Sequence, residues 1–225
     1  MSQKFSATEY EKKYRQGYGV AYPESHIIRV YKQIIEWELG IRGGTMFDFG
    51  CGSGSHVKYF ADQGFVPYGC DTSETAVSQT KALLPQFADH FKTSDVLPDL
   101  KAMFGPLELN VFMTNQVLYY LSDADIHRIV DQAYAMTAKG GVFVASMMTH
   151  GCWYARDVIG TEGDFSKLQI TSPRQTESML VNLKERDEME PLFKPFRKLH
   201  LGSYGWQIRD EEGPHEHWLY VGVKD

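Results

Sequence analysis

Three glycines at alternate positions, Gly50, Gly52 and Gly54, sit in the stretch Thr45-Met-Phe-Asp-Phe-Gly-Cys-Gly-Ser-Gly-Ser-His56. Glycine lets a backbone turn sharply and approach a ligand closely. A helix that starts just beyond such a loop presents free N–H groups and the positive end of its dipole. The chemistry on offer is recognition of a nucleotide or of another ligand with an anionic group. The spacing then selects among such ligands. Dinucleotide binding uses G-x-G-x-x-G. Here the pattern is G-x-G-x-G, and Ser55 stands where the third glycine of the dinucleotide motif would fall. Asp48 adds a carboxylate near the end of the preceding buried strand. A negative charge there repels a pyrophosphate and suits a ligand that carries an ammonium group.

The elements that position this loop alternate between strand and helix patterns. Thr45–Phe49 reads as a short buried strand, residues 54–63 as a helix closed by Gly64, Val66–Cys70 as a second strand, and Ser73–Leu84 as a helix stopped by Pro85. A third strand is expected within residues 87–94. Leu107–Thr114, apolar nearly throughout as central parallel strands tend to be, is the fourth. Ser122-Asp-Ala-Asp125 has the form of a helix start. It leads into a stripe of Ile126, Ile129, Val130, Ala133 and Tyr134, which Lys139-Gly140-Gly141 is expected to end. Val142–Met148 is a fifth strand. Upstream, Pro23 and the spacing of Ile27, Tyr31, Ile34 and Ile35 predict a helix over about 22–40. The first 20 residues read as an arm.

Beyond His150 the pattern weakens. Residues 151–185 are expected as an inserted loop with one strand, Ser178–Leu183. The run from Glu185 to Glu190 reads as a solvated helix start, with Leu192, Phe193 and Phe196 turned inward. Residues 198–207 and 216–223 form a closing hairpin. Five strands and a hairpin predict an α/β fold: a doubly wound, seven-stranded sheet, mostly parallel, with a C-terminal antiparallel hairpin. One domain spans 1–225. It comprises an N-terminal arm and helix (1–40), a ligand-binding core (41–150), a substrate or lid insertion (151–195) and the hairpin (196–225).

Phe47-Asp48-Phe49-Gly50-Cys51-Gly52-Ser53-Gly54 is similar to the first motif of class I, Rossmann-like S-adenosylmethionine-dependent methyltransferases. Val66-Pro-Tyr-Gly-Cys-Asp71-Thr-Ser73 resembles their second strand, Thr93-Ser-Asp95-Val96 the segment at the adenine edge, and Phe112-Met-Thr-Asn115-Gln116-Val-Leu-Tyr119 the fourth-strand motif. The likeness runs in order over residues 40–150. It implies S-adenosylmethionine as cofactor and S-adenosylhomocysteine as product. The loop backbone at Gly50, Gly52 and Gly54 would pack on the methionine part, and Asp48 would support its ammonium, directly or through water. Asp71 would accept both ribose hydroxyls. Thr72 would lie against the adenine, with Asp95 and the Val96 N–H at its amino edge, and Asn115 would stand near the methionine end. Tyr14-Arg-Gln-Gly-Tyr-Gly-Val-Ala-Tyr-Pro23 resembles the arms that fold over the cofactor in small-molecule members. It places Tyr14 and Arg15 near the cofactor carboxylate.

Methyl transfer from a sulfonium needs chiefly a well-placed acceptor atom, about 3 Å from the methyl, and exclusion of water. A general base is needed only for an acceptor protonated at neutral pH. The candidates stand at the carboxyl ends of strands: Tyr119 and Tyr120 after the fourth, His150 and Trp153 after the fifth. Of these, His150 has an unperturbed pKa near neutral. His215-x-His217 places two rings on one strand face, but a metal site needs a third ligand, which the neighbouring sequence lacks.

Bulk properties bound the partners. The chain has 225 residues, 43% hydrophobic, with net charge −6 and no basic run, which argues against nucleic acid. Cys51, Cys70 and Cys152 are an odd set without a C-x-x-C pair, as in proteins of reducing compartments. The N-terminus has no apolar leader, and no apolar run reaches 18 residues. These features read as a cytoplasmic protein with no membrane anchor. The expected activity is methyl transfer to O or N of a small molecule: a metabolite, a sugar derivative or a natural-product intermediate. The competing readings are a macromolecule methyltransferase and a cofactor-binding regulator or scaffold without transfer activity.

Overall fold

The computed structural model describes residues 2–19, 21–172 and 175–225. The chain begins with helix α1 (Ser2–Arg15), then α2 (Ser25–Arg29), which runs directly into a π-helical stretch (Val30–Glu38). The core follows as β1 (Gly44–Phe49), α3 (Ser55–Asp62), β2 (Phe65–Asp71), α4 (Glu74–Leu83), β3 (Phe91–Thr93), α5 (Leu100–Phe104), β4 (Leu109–Thr114), α6 (Asp123–Met136) and β5 (Thr137–Met148). The remainder is β6 (Val158–Glu162), β7 (Phe165–Ser172), β8 (Gln175–Val181), α7 (Met189–Leu192), β9 (Arg197–Trp206) and β10 (His215–Val223).

Seven strands form one sheet in the order β3-β2-β1-β4-β5-β10-β9. The first five are parallel. The β9–β10 hairpin joins antiparallel at β5, as the sequence predicts. The chain reverses direction across the sheet between β1 and β4, so the loops leaving those two strands diverge and open a crevice at their carboxyl ends. Each face of the sheet has its own core. On one face Phe47, Phe112 and Phe143 of β1, β4 and β5 stack in register, with centroids 5.4 and 5.9 Å apart. The Ile126–Ile129–Val130 stripe of α6 belongs to the same cluster. On the other face Met46, Val111 and Val142 pack with Tyr31 and Ile35 of the π-helical stretch and with Val57 and Phe60 of α3. Each such buried side chain contributes roughly 1.5–3 kcal/mol. Together they hold the strand ends, and the loops on them, in fixed relation.

The structure departs from the sequence reading at four places. The third strand is only three residues long, because Pro85 both stops α4 and starts a 3₁₀ turn through His90. Lys139-Gly140-Gly141 does not terminate α6. That helix ends at Met136, and the glycines lie inside β5, where the β4–β5 register shifts. The segment after His150 is a three-stranded antiparallel sheet, β6-β7-β8, rather than a loop. Leu168, Ile170, Met179 and Val181 turn its apolar side into the main core. Gln169 and Leu180 separate these residues within the two strands, and because Leu180 is itself apolar the period-2 alternation is incomplete in the sequence. Finally, the N-terminal arm is itself a helix, α1. Leu192, Phe193 and Phe196 are buried as expected.

Candidate active site

The loop after β1 is stitched to the end of β2. Gly50 N–H and Cys51 N–H donate to the carbonyl of Cys70 at 2.8 and 3.0 Å. Gly52 N–H donates to Asp71 Oδ2 at 2.9 Å, and Thr80 Oγ1 donates to the carbonyl of Gly52 at 2.8 Å. Gly50 and Gly52 have φ of +82° and +54°, which side chains other than glycine rarely adopt. Space forbids a side chain as well: a Cβ on Gly50 would overlap Val117, and one on Gly52 would lie 2.5 Å from the Tyr14 hydroxyl.

Above this loop is a cavity of about 460 Å³, walled by the loops that follow β1, β2, β3 and β4 and by α1. Tyr14, Gly50, Gly52, Asp71, Thr72, Asp95, Val96 and Asn115, all expected from sequence, line it. Gly54 does not; it caps α3 from below, against Thr80. Asp71 is fixed by two backbone donors, Gly52 N–H and Ser73 N–H, each at 2.9 Å. An ionised carboxylate has about four acceptor positions, more than the backbone donors occupy, so it can still accept from a ligand. Burial raises the Asp71 pKa, and the N–H groups of Ser73, Gly52 and Thr72 oppose that rise.

Asp48 lies beneath the cavity rather than on its wall. It is 1% exposed, and neither carboxyl oxygen has a hydrogen-bond partner. Burial, and after it the charge of Asp71, pushes its pKa up to about 8. Its nearest basic neighbour is His56, with Nδ1 3.9 Å from Oδ2. Burial and then His26 push His56 down to about 3, so both groups are neutral at pH 7. His56 lines the cavity, and its Nε2 lies 3.7 Å from Glu24 Oε2. Asp48, His56 and Glu24 thus lead from beneath the loop to the cavity wall. The sequence reading singled out neither His56 nor Glu24 as a site residue. The available signals were a histidine directly after the glycine loop and an acid directly after Pro23.

Glu24 gathers the fourth-strand motif. It accepts from Asn115 Nδ2 at 2.7 Å and from Gln116 Nε2 at 3.0 Å. Asn115 Oδ1 accepts from the hydroxyls of Ser146 and Tyr204, both at 3.2 Å. The His26 ring stacks on Tyr204 with centroids 3.5 Å apart. Gln116 sits at φ +59°, held by its N–H donating to Ser146 Oγ at 2.7 Å.

Helix α1 lies along one side of the cavity. Glu11 accepts from Ser73 Oγ at 2.5 Å and from Thr75 Oγ1 at 2.6 Å. These two hydroxyls in the main hold its pKa down at about 2. Arg15 pairs with Glu11 at 2.7 Å on the exposed side of the helix. It is therefore committed to the arm rather than to a cofactor carboxylate, contrary to the sequence expectation. Tyr14 does face the cavity, and burial together with Asp71 raises its pKa well above the phenolic range.

A second cavity, about 610 Å³, adjoins the first. Tyr10, Tyr18, Gln116 and Tyr120 line both. Tyr119 lines the second, with Met179 of the inserted sheet and Trp206 and His217 of the hairpin. His150 lines neither: its side chain is 51% exposed and 4.0 Å from Glu185. As the candidate base it is misplaced, because the chain turns outward after β5. Trp153 is buried and donates from Nε1 to His215 Nε2 at 2.6 Å. The three cysteines are free and buried, and burial raises each thiol.

Residues 47–143 match the family model described as a methyltransferase domain. Among solved structures, the chain is similar to an S-adenosylmethionine-dependent methyltransferase from Clostridium acetobutylicum, with a TM-score of 0.66 at 10% identity over 99% of this chain and 98% of that one. It is similar to magnesium protoporphyrin IX methyltransferase from Synechocystis with bound S-adenosylhomocysteine, with a TM-score of 0.64 at 14% identity over 99% of both chains. A third likeness is to an S-adenosylmethionine-dependent methyltransferase from Methanosarcina mazei, with a TM-score of 0.65 at 15% identity over 90% of this chain and 98% of that one. At these identities the structural likeness is one of fold. No curated protein matches the chain in sequence.

Proposed function

We propose that this protein is an S-adenosylmethionine-dependent methyltransferase that methylates O or N of a small-molecule acceptor held in the second cavity; its residues 47–143 match the methyltransferase-domain family model, and its fold is that of known methyltransferases. The observation that carries the reading is the pair of adjoining cavities, the first with the glycine loop and the carboxylates of Glu24, Asp71 and Asp95 in its wall, the second with Tyr154, Trp206, His215 and His217 in its wall.

The first cavity fits the cofactor. Asp71 offers free acceptor positions to the ribose hydroxyls, and Asp95 and Val96 stand where the adenine edge would lie. The Gly50–Gly52 backbone leaves no room for a side chain. Glu24, Asn115 and His56, whose ring lies 3.9 Å from the buried Asp48, would meet the amino-acid end. Bound there, S-adenosylmethionine supplies a methyl group on a sulfonium and so needs no further activation. The chain's own residues have to orient the acceptor and exclude water. Helix α1, the β6–β8 sheet and the β9–β10 hairpin all contribute walls to the second cavity. A pocket walled by three elements supports a small acceptor over a nucleic acid or protein surface. The net charge of −6 supports the same choice. The free cysteines support a reducing, cytoplasmic setting. Among the described residues, no helix is long and apolar enough to cross a membrane.

Calorimetric titration with S-adenosylmethionine, S-adenosylhomocysteine and NADH tests the cofactor. Binding of both sulfur ligands, without NADH, is the expected result; no binding of either would sink the reading. Methyl incorporation into RNA or protein but never into small molecules would overturn the acceptor class.

The latch on α1 has its own consequence. Glu11→Ala removes hydrogen bonds from a charged, partly exposed group, together worth about 1–2 kcal/mol. Amide exchange in residues 8–15 is expected to quicken and affinity for S-adenosylhomocysteine to fall about tenfold, because Tyr14 is no longer held over Gly52. Exchange identical to wild type would mean that the tyrosine contacts alone dock the helix.

A further inference from the structure

We infer that Gln116 holds the methyl acceptor through an N–H···Oε1 hydrogen bond, and that the acceptor is a neutral primary or secondary amine whose nitrogen takes up positive charge one amide away from the Glu24 carboxylate. The inference rests on the methyl-transfer reading above and names its acceptor class.

Among the described residues, Gln116 is the only one other than glycine with a positive φ. A side chain of this kind is uncommon in that region and occurs there where the surrounding structure forces it, often at a functional site. Gln116 is half-buried where the two cavities meet, and it lines both. Its backbone N–H is fixed on Ser146 Oγ. Its Nε2 donates to Glu24 Oε1 at 3.0 Å and to the Tyr204 hydroxyl at 3.3 Å.

Counting donors and acceptors decides which way the amide faces. A carboxylate only accepts, so the NH₂ group and not the carbonyl must meet Glu24. The Tyr204 hydroxyl spends its proton on Asn115 Oδ1, which leaves its oxygen to accept from Gln116. Both amide hydrogens of Gln116 are then committed. Oε1 is the atom of that amide that the network leaves unspent, and it can only accept, from an N–H or an O–H.

Two features favour nitrogen. A hydroxyl must give up its proton as it is methylated, and the described lining of the second cavity offers no group to take it. That lining contains no carboxylate. His215 Nε2 accepts from Trp153, so its other ring nitrogen carries the hydrogen. Both nitrogens of His217 are buried. Burial keeps the phenols of Tyr10, Tyr119 and Tyr120 protonated. The second feature is the charge of Glu24. Among the described residues no Lys or Arg pairs with it. Its basic neighbours, His26 and His56, lie 3.9 and 3.7 Å away and are held neutral chiefly by burial. An unanswered negative charge at a half-buried junction favours positive charge beside it.

In the transfer, the amine lone pair forms the new bond to the methyl carbon. The carbon–sulfur bond breaks with its electron pair remaining on sulfur. Positive charge passes from sulfur to nitrogen. The nitrogen keeps its hydrogens, one of them on Gln116 Oε1, and no base takes part. The amine enters uncharged, so Lys13 in the same lining does not oppose its binding.

The test uses the full chain and three analogues of S-adenosylhomocysteine in which nitrogen replaces sulfur and carries a 2-aminoethyl, a 2-hydroxyethyl or a carboxymethyl arm. Each arm sets its end group on the acceptor side of the sulfur position. Calorimetric affinities are expressed relative to S-adenosylhomocysteine in the same protein. In wild type the aminoethyl analogue is expected to bind roughly tenfold more tightly than the hydroxyethyl one, and the carboxymethyl one most weakly. Gln116→Asn tolerates the positive φ but withdraws the carbonyl by one methylene; it is expected to lose most of the aminoethyl preference. Gln116→Gly, which tolerates the same φ, is the second variant. Glu24→Gln is expected to lose the preference as well. A preference that survives in both Gln116 variants would overturn the role of Gln116, and one that survives in Glu24→Gln would overturn the role of the carboxylate. Equal binding of the three arms in wild type, or tightest binding of the hydroxyl or carboxylate arm, would overturn the amine class. Failure of the wild type to bind S-adenosylhomocysteine would instead overturn the underlying methyltransferase reading.

Discussion

Asp71→Ala is expected to weaken S-adenosylhomocysteine binding by about 10²–10³-fold while the protein stays folded. The carboxylate is positioned by Gly52 N–H and Ser73 N–H, and its remaining lone pairs face the first cavity. Two charge-assisted hydrogen bonds to a ribose diol contribute about 3–4 kcal/mol together, which converts to the stated factor. The substitution also releases the two N–H donors and loosens the glycine loop, at a stability cost of about 1–3 kcal/mol. Asp71→Asn separates the two effects. It keeps one acceptor oxygen for the loop but loses the charge, so its melting temperature should lie closer to wild type while most of the affinity loss remains. Calorimetry and thermal denaturation of both variants check this. Wild-type affinity in Asp71→Ala would refute the placement of the ribose.

Asp48→Asn is expected to do the reverse to stability. In the unfolded chain an aspartate loses its proton near pH 4; in the fold Asp48 keeps it until about pH 8. Between those values the folded state holds one proton more than the unfolded state, so stability falls as pH rises, by about 1.4 kcal/mol per unit. The asparagine never titrates. Its advantage over wild type should therefore be about 4 kcal/mol at pH 7 and close to nothing at pH 4, read from denaturant melts across that range. Equal stability of the two proteins at pH 7 would mean that Asp48 is ionised and paired in the fold. The same carboxyl ties stability to ligand. An ammonium at the cavity floor favours the ionised form, so S-adenosylmethionine binding at pH 7 should release about one proton in wild type and none in Asp48→Asn. Titrations in buffers of different ionisation enthalpy measure that number.

The sequence placed Asp48 at the end of a buried strand but left open whether it meets the ligand or stays buried. Its position two residues before the first glycine is local information. Its two unpartnered oxygens, and the His56 ring 3.9 Å away, follow from how β1 and α3 pack. Arg15 shows the same division from the other side. Its place in the arm made it a plausible partner for a carboxylate; a neighbour one helical turn away, Glu11, takes it. His150 carried a suitable pKa but is turned to solvent. His56 lines the first cavity instead, and His215 and His217, read only as an insufficient metal pair, line the second.

By itself, the sequence determined the glycine loop, the acids Asp71 and Asp95, the order of the central strands and the antiparallel hairpin. These are set by short-range chemistry: backbone freedom at Gly50 and Gly52, apolar runs of strand length, and motif spacing within a few residues of each strand end. Tertiary structure alone decided which rings meet in the second cavity, how α1 latches onto Ser73 and Thr75, and that β6, β7 and β8 form a sheet. Those outcomes depend on contacts between segments such as Glu11 and Thr75, or Glu24 and Asn115, which lie 64 and 91 residues apart. No local pattern encodes such a distance; it is fixed only when the two sheet faces bury their separate cores.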